Sequence, residues 1–466
     1  MFFLIGAIFL VSFWDFLASG LPVSDATYVA LTQAPEVFIF IGMLVTQGSH
    51  RLHYGSFGLI GRKIDIILVL LVAWIILSSV TTAADLRNIG SANAAISVLN
   101  IKAFLRYLSI FYVASAIKWD KQKYLKIRNC ILIVFLLQVF IGALQFIIGA
   151  PALEFFGPRS VEQFLGVART SFVERDSTEV FGTFRNTISF AYIMLIGTII
   201  ILVSNTNIGP FRPKILSIVA LFLIYISGSR IVFLLASLII VAYVFRIQIA
   251  KIRRRRMLVL ISLSLFAVIT SYSYILSLDL QFSPGSMGFV FSRSYIEAAM
   301  NQRLGVVSII VPQLTKDLGF WIGLGADQNF VAKYVIQNTY IPNYALMASL
   351  YQTLEDVYWI AFLLYFGIPG LLLLLIFMRR LYSATYEIGA STNHWSVEPA
   401  RIARILLLLA IPLNFVNQAF EVQIYSLPLW LFTAIALRAG LTSWRLSVRA
   451  TAAHRTAAGA PAPAGP

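Results

Sequence analysis

Ten apolar runs, each long enough to cross the roughly 30 Å of a bilayer's hydrocarbon, punctuate this chain. They lie at about 2–17, 28–45, 64–81, 98–117, 130–148, 187–204, 257–276, 356–377, 402–417 and 423–441. Hydrophobic residues make up 59% of the sequence and charged residues 12%, which places it with polytopic membrane proteins rather than soluble domains. A net charge of +16 would suggest nucleic acid in a soluble protein. Here cytoplasmic loops rich in Lys and Arg account for it, and no nucleic-acid partner is expected. The single cysteine, Cys130, excludes an intrachain disulfide and any Cys-based metal cluster. The opening MFFLIGAIFLVSFWDF has no basic n-region and no small-residue cleavage pattern, so a retained first helix is expected.

The interval 215–245 decides the topology. As one helix it would be about 46 Å long at 1.5 Å per residue, with Ser227-Gly-Ser-Arg230 in its middle. As two short helices it turns at that tetrapeptide and brings Arg230 to a surface. With two helices, the intervals 46–63, 118–129, 205–214, 246–256 and 378–404 and the tail from 442 share one side and hold 23 of the 36 Lys and Arg. With one helix, the run RIQIAKIRRRR would face the wrong way. The expectation is therefore an all-α polytopic membrane protein of about twelve transmembrane helices with both termini cytoplasmic. Residues 1–450 form a single transmembrane domain with exported loops 149–186 and 277–355, and 451–466 form a disordered Ala/Pro/Gly tail.

The 79-residue interval 277–355 contains no run apolar enough to span a bilayer, so chemistry is sought there and in the first exported loop. That loop carries Arg159, Arg169, Arg175 and Arg185, and its end, EVFGTFRNTISFAY, leads into the next span. Arg185 is thus held at the membrane mouth. Its planar fork of donors suits phosphate oxygens, whether those of a substrate or of lipid headgroups. Arg230 begins a helix after a tight turn and needs an anionic partner, substrate or structural. Lys102 and Arg106, at i and i+4, share one helical face and either join a basic pocket or snorkel.

The four histidines, His50, His53, His394 and His454, fall in cytoplasmic segments, leaving no exported His base or His-rich metal site. The exported carboxylates considered as a base are Glu297, Asp327, Glu355 and Asp356. Glu355 and Asp356 have the strongest claim, because adjacent acids at a helix start meet its positive end and repel one another. Plain helix capping is the alternative.

Three stretches in order resemble the bacterial O-antigen polymerase, O-antigen ligase and exopolysaccharide polymerase superfamily. They are Phe181-Gly-Thr-Phe-Arg-Asn186, Ser227-Gly-Ser-Arg230, and Leu324-Gly-Ala-Asp327 followed by Asp356-x-Tyr358 and Phe366-Gly-Ile-Pro-Gly370. The resemblance covers roughly residues 180–380. It implies a GT-C-like glycosyltransferase of the bacterial inner membrane with its active site facing the periplasm, using no metal or other cofactor. The donor it implies is an oligosaccharide on undecaprenyl diphosphate, with a flippase and chain-length or export proteins as further partners.

Such a reaction needs cations for the departing diphosphate and a base for the attacking hydroxyl. Arg185 and Arg230 are expected to grip the diphosphate, with Lys102, Arg106 and Arg303 as further candidates, and Asp356 or Glu355 to act on the acceptor. Ligases of this family carry a His ahead of the closing helix, where this chain has Asp356, which favours a polymerase. The rival readings are an O-antigen ligase and, from another class, a transporter of the same lipid-linked sugar, which should show inverted repeats and broken helices at midplane. No repeat is evident in the sequence.

Overall fold

A computed structural model describes residues 1–19, 21, 27, 31, 34–54, 57, 62–85, 108–156, 180–184, 187–204, 213–244, 321–339, 354, 357–390, 395–416, 419–420 and 422–458. Among the described residues the chain is all-helical, without a strand. In order, the helices are α1 Phe2–Ser19, α2 Ala34–Tyr54, α3 Arg62–Asp85, α4 Leu108–Ala116, α5 Lys121–Ile148, α6 Ala150–Phe156 and α7 Thr187–Ser204. They continue with α8 Pro213–Ile226, α9 Arg230–Val244, α10 Gln328–Thr339, α11 Tyr358–Ala390, α12 Val397–Val416 and α13 Gln423–Ala458. Among the described residues three helices, Lys121–Ile148, Thr187–Ser204 and Tyr358–Gly389, are long and apolar enough to cross a membrane. Phe2–Ala18, Lys214–Ile226 and Arg230–Val244 are shorter and also apolar.

The bundle is built around α7, which packs against α5, α8, α9, α12 and α13. Every residue from Phe190 to Leu202 is buried, as expected of a helix with no polar face. Its contact with α5 is close because each helix offers a glycine to a phenylalanine of the other. A Cβ on Gly142 would lie 2.6 Å from Phe190 Cζ, and Gly197 lies against the Phe135 ring.

Neighbouring helices run so that the bundle has two chemically different ends. At one end the start of α5 meets the start of α12 through the Arg128–Glu398 ion pair at 3.1 Å and the stacked rings of Tyr124 and Trp395. Lys118 sits over the Tyr54 ring at the close of α2, and Tyr112 of α4 points its hydroxyl at Asp65 in the first turn of α3. At the other end Phe146 of α5 meets Phe222 of α8 edge-on. There Tyr192 of α7 also meets Tyr425 of α13, and Tyr358, first in α11, meets Phe420.

The structure decides the interval 215–245 in favour of two helices: α8 ends at Ile226 and α9 begins at Arg230. The Ser227 and Gly228 amides close the turn by donating to the Leu223 and Tyr225 carbonyls.

Several intervals read as loops from hydropathy are helical instead. Within 118–129, helix α5 already starts at Lys121, because Asp120 caps it by accepting a hydrogen bond from the Lys123 amide at 2.8 Å. Tyr124, Ile127 and Ile131 bury one face while the lysines lie outward, so an amphipathic first turn escapes a search for uniformly apolar runs. Likewise α2 extends to Tyr54, α11 to Ala390 through Arg379 and Arg380, and α12 begins at Val397. Helix α13 continues through Ala458, into the segment 451–466 expected to be disordered. The high helix propensity of alanine is the physical reason. The expected span 257–276 and most of the loops 149–186 and 277–355 lie outside the described residues.

Helix α11 is broken near its start. Gly367 has φ 67° and ψ −172°, and Pro369 follows, so the carbonyls of Leu364, Tyr365 and Phe366 lose their donors within the helix. All three are supplied from elsewhere. The Leu324 and Gly325 amides donate to Leu364 and Tyr365 at 2.8 and 2.9 Å. Trp74 Nε1 and Ser78 Oγ, one turn apart on α3, donate to Phe366 and Tyr365 at 2.8 and 3.1 Å.

Candidate functional site

The three motif stretches are each held by a specific local device. The first, Val180 to Phe184, is a buried loop entering α7, and two glutamines of α5 hold its backbone. Gln145 accepts from the Phe181 and Gly182 amides at 3.2 and 2.8 Å and donates to the Gly182 carbonyl at 2.7 Å. Gln138 accepts from the Thr183 amide at 3.2 Å and donates to Thr183 Oγ1 at 2.6 Å, and that hydroxyl donates to the Ser12 carbonyl of α1. Gln138 and Gln145 are seven residues apart, hence on one face of α5, with exposures of 0% and 1%. A buried amide stabilises a structure only when its partners are met. Here the two side chains meet the needs of a loop that has no helix or sheet ladder of its own.

The second stretch is the turn joining α8 and α9. Gly228 has φ 73°, and Ser227 Oγ donates to the Ile224 carbonyl at 2.7 Å. Ser229 occupies the N-cap position of α9, its carbonyl accepting from the Phe233 amide at 3.0 Å. The Ser229 hydroxyl is buried and has no hydrogen-bond partner among the described residues. Arg230, half-buried, is the first residue of α9. Arg230 thus follows directly on a buried serine at the positive end of a fifteen-residue helix, a position that favours an anion.

The third stretch, Gly323 to Asp327, is buried and lies against the break in α11. Asp327, 5% exposed, caps α10: its Oδ1 accepts from the Phe330 amide at 3.1 Å and its carbonyl from the Val331 amide at 2.9 Å. Among the carboxylates considered as a base, Asp327 is therefore occupied in holding a helix. Leu324-Gly-Ala-Asp327, some forty residues away in sequence, is hydrogen-bonded to Leu364 and Tyr365, the two residues just before Phe366-Gly-Ile-Pro-Gly370.

The first two stretches share the end of the bundle where α5 and α8 finish and α7 and α9 begin. Helix α11 starts at that end too, as the Tyr358–Phe420 contact and the Tyr192–Tyr425 contact show. Of the residues singled out by sequence, Arg230 and Asp327 are described, and Lys102, Arg106, Arg185, Glu297, Arg303, Glu355 and Asp356 lie outside the described residues. The described residues thus bring no two of these site residues together. They do fix the segment immediately before Arg185 and the helix that opens two residues after Asp356.

Sequence reasoning missed Gln138, Gln145, Trp74 and Ser78. The glutamines were signalled by two amides seven apart in FLLQVFIGALQF, an apolar run where each polar side chain requires a partner. Among the described residues no three His, Cys, Asp or Glu side chains converge. Comparison with protein-family models and with curated proteins returned no match.

Proposed function

We propose that this protein is a polysaccharide polymerase that joins oligosaccharide repeat units carried on undecaprenyl diphosphate, at the periplasmic face of a bacterial inner membrane. In this reading about twelve spans form a GT-C-like architecture. Arg230 and Arg185 hold the diphosphate as it departs, with Lys102, Arg106 and Arg303 as further cations. Asp356 or Glu355 orients or deprotonates the acceptor hydroxyl. The observation that carries the reading is the turn at Ser229 and Arg230, where a cationic residue, a buried hydroxyl with no partner among the described residues and a helix N-terminus adjoin at the end opposite the lysine-rich one. Stabilising a departing diphosphate requires fixed positive charge of this kind.

The test is the Arg230→Ala and Arg230→Lys pair, expressed in a producing strain with protein levels matched. Ala is expected to abolish polymer and accumulate unpolymerised lipid-linked units, and Lys to retain little, because it keeps charge without the bidentate fork. Polymer of normal length and amount from the Ala variant would make Arg230 structural only.

One observation favours a second reading. Helix α11 is broken at Gly367, and discontinuous helices are a feature of transporters. A transporter of the same lipid-linked sugar would move the units across the bilayer without lengthening them, which the polymer assay separates from polymerisation. An O-antigen ligase would move finished glycan to lipid A core, and the identity of the acceptor separates it.

A further inference from the structure

At the lysine-rich end, between the start of α5, the finish of α7 and the start of α12, lies an open cavity of about 520 Å³. Lys121, Tyr124, Val203, Trp395, Glu398 and Arg401 are among its lining residues. We propose that this cavity binds an anionic phosphate group at the membrane surface, with Lys121 and Arg401 as its cations. It stands apart from the polymerase reading, since it concerns the opposite end of the bundle.

The charge pattern is the first argument. Helix α5 opens with Lys121, Lys123, Lys126 and Arg128, against its own positive end, an arrangement that is unfavourable unless anions answer it. Two of the four are answered within the protein: Lys123 pairs with Asp120 at 3.3 Å and Arg128 with Glu398 at 3.1 Å. The Glu398 carboxylate is thereby neutralised, which removes the main repulsion an incoming anion would meet. Among the described residues no carboxylate lies in ion-pair distance of Lys121 or Arg401.

The second argument is unmet hydrogen-bonding capacity. Arg401 Nε is buried without an acceptor among the described residues. The Tyr124 hydroxyl, on a side chain 1% exposed, faces Glu398 but forms no hydrogen bond of acceptable geometry among the described residues. Buried polar atoms are nearly always satisfied; both donors belong to residues that line this cavity, and a small turn of either side chain would bring its donor to an acceptor-rich guest. Val397 and Glu398, the first two residues of α12, line the same space, so the positive end of that helix lies beside it. Val203 and the Trp395 ring, stacked on Tyr124 at 5.9 Å, give an apolar wall suited to a glycerol or acyl stem. Phosphate oxygens match these donors, and they can come from a phospholipid headgroup or from soluble phosphate.

The test uses the purified full-length chain in detergent. It is titrated in parallel with phosphatidylglycerol, with zwitterionic phosphatidylcholine and with inorganic phosphate. Binding is read as the fluorescence change lost in the Trp395→Phe variant. Saturable binding of phosphatidylglycerol but not phosphatidylcholine is expected, weakened about tenfold or more in Lys121→Gln/Arg401→Gln, as expected for charge-assisted contacts. Lys118→Gln, outside the cavity, should bind as the wild type does. Competition by inorganic phosphate would identify a soluble anion site, and its failure to compete a lipid headgroup site. Equal responses to both lipids, or undiminished binding in the double variant, would overturn the proposal. The wild-type comparison of the two lipids decides even if the double variant does not fold.

Discussion

Gly323 and Gly367 meet backbone to backbone. A Cβ on Gly323 would lie 2.6 Å from the Phe366 carbonyl carbon, and one on Gly367 would lie 2.7 Å from the Gly323 nitrogen. Their φ values of 106° and 67° are also ones that other residues adopt only with strain. This contact seats a stretch of the long polar insert against the break in α11, where its amides replace the donors that Pro369 and the kink remove. Non-helical backbone at membrane depth is tolerated only when it is buried in protein or lines a cavity. The buried Gly323–Asp327 segment meets that condition by satisfying the helix it interrupts.

Gly323→Ala and Gly367→Ala are each expected to destabilise the fold by at least about 1–3 kcal/mol, the usual size of such backbone strain, with the steric clash adding to it. Gly48→Ala, on α2 with nothing within 4 Å of the added carbon, should be neutral or slightly stabilising. Denaturation of the purified variants in mixed micelles measures the difference. Equal stability of Gly48→Ala and Gly367→Ala would mean the two segments do not touch.

Gln145→Leu keeps the side-chain volume but leaves two amides and a carbonyl of Phe181 and Gly182 without partners. At about 1–3 kcal/mol per unsatisfied buried group, the loss should exceed about 2 kcal/mol. The loop before Arg185 should also become more accessible to proteolysis. Gln122→Leu, on the exposed face of the same helix, serves as the control and should leave both measurements unchanged.

The all-helical, apolar character of the described residues was legible because long apolar runs form helices, and the two-helix reading of 215–245 was legible because Ser-Gly-Ser-Arg cannot sit comfortably mid-span while charge bookkeeping opposes it. The kink was foreshadowed by Phe366-Gly-Ile-Pro-Gly370. Its partner was not, because the pairing with Leu324 and Gly325 is made through backbone amides, which no side-chain pattern announces. The start of α5 was hidden for a different reason: its first turn is charged on one face and aromatic on the other, so mean hydropathy averages the signal away. Gln138 and Gln145 were visible as polar residues in an apolar run. What they hold is a loop 36 to 45 residues further along, a separation that only the packed structure closes.

Asp120 offers a pH test of the α5 cap. Accepting a hydrogen bond from the Lys123 amide holds its carboxyl below the ordinary value of 3.8. A lowered folded-state pKa contributes stability that is present above the unfolded value and is lost as the pH falls through the folded one. Asp120→Ala should therefore cost about 1 kcal/mol near neutrality, and the gap to wild type should close as the pH drops below the carboxylate range. Asp120→Asn, an equally good cap, should show little cost at neutral pH and no such pH dependence. The nearby Lys123 adds little, since both side chains are largely exposed. Denaturation midpoints across pH measure this directly.

The proposed function has this protein lengthen lipid-linked glycans, with fixed positive charge releasing the carrier diphosphate. The most direct measurement reconstitutes the purified chain in liposomes with undecaprenyl-diphosphate-linked repeat units, without added metal or nucleotide sugar, and resolves the products by length. The account predicts a ladder of longer lipid-linked glycans with release of undecaprenyl diphosphate, lost in Arg230→Ala while helical content is kept. Repeat units that cross the bilayer at unchanged length, or a ladder that persists undiminished in Arg230→Ala, would contradict it.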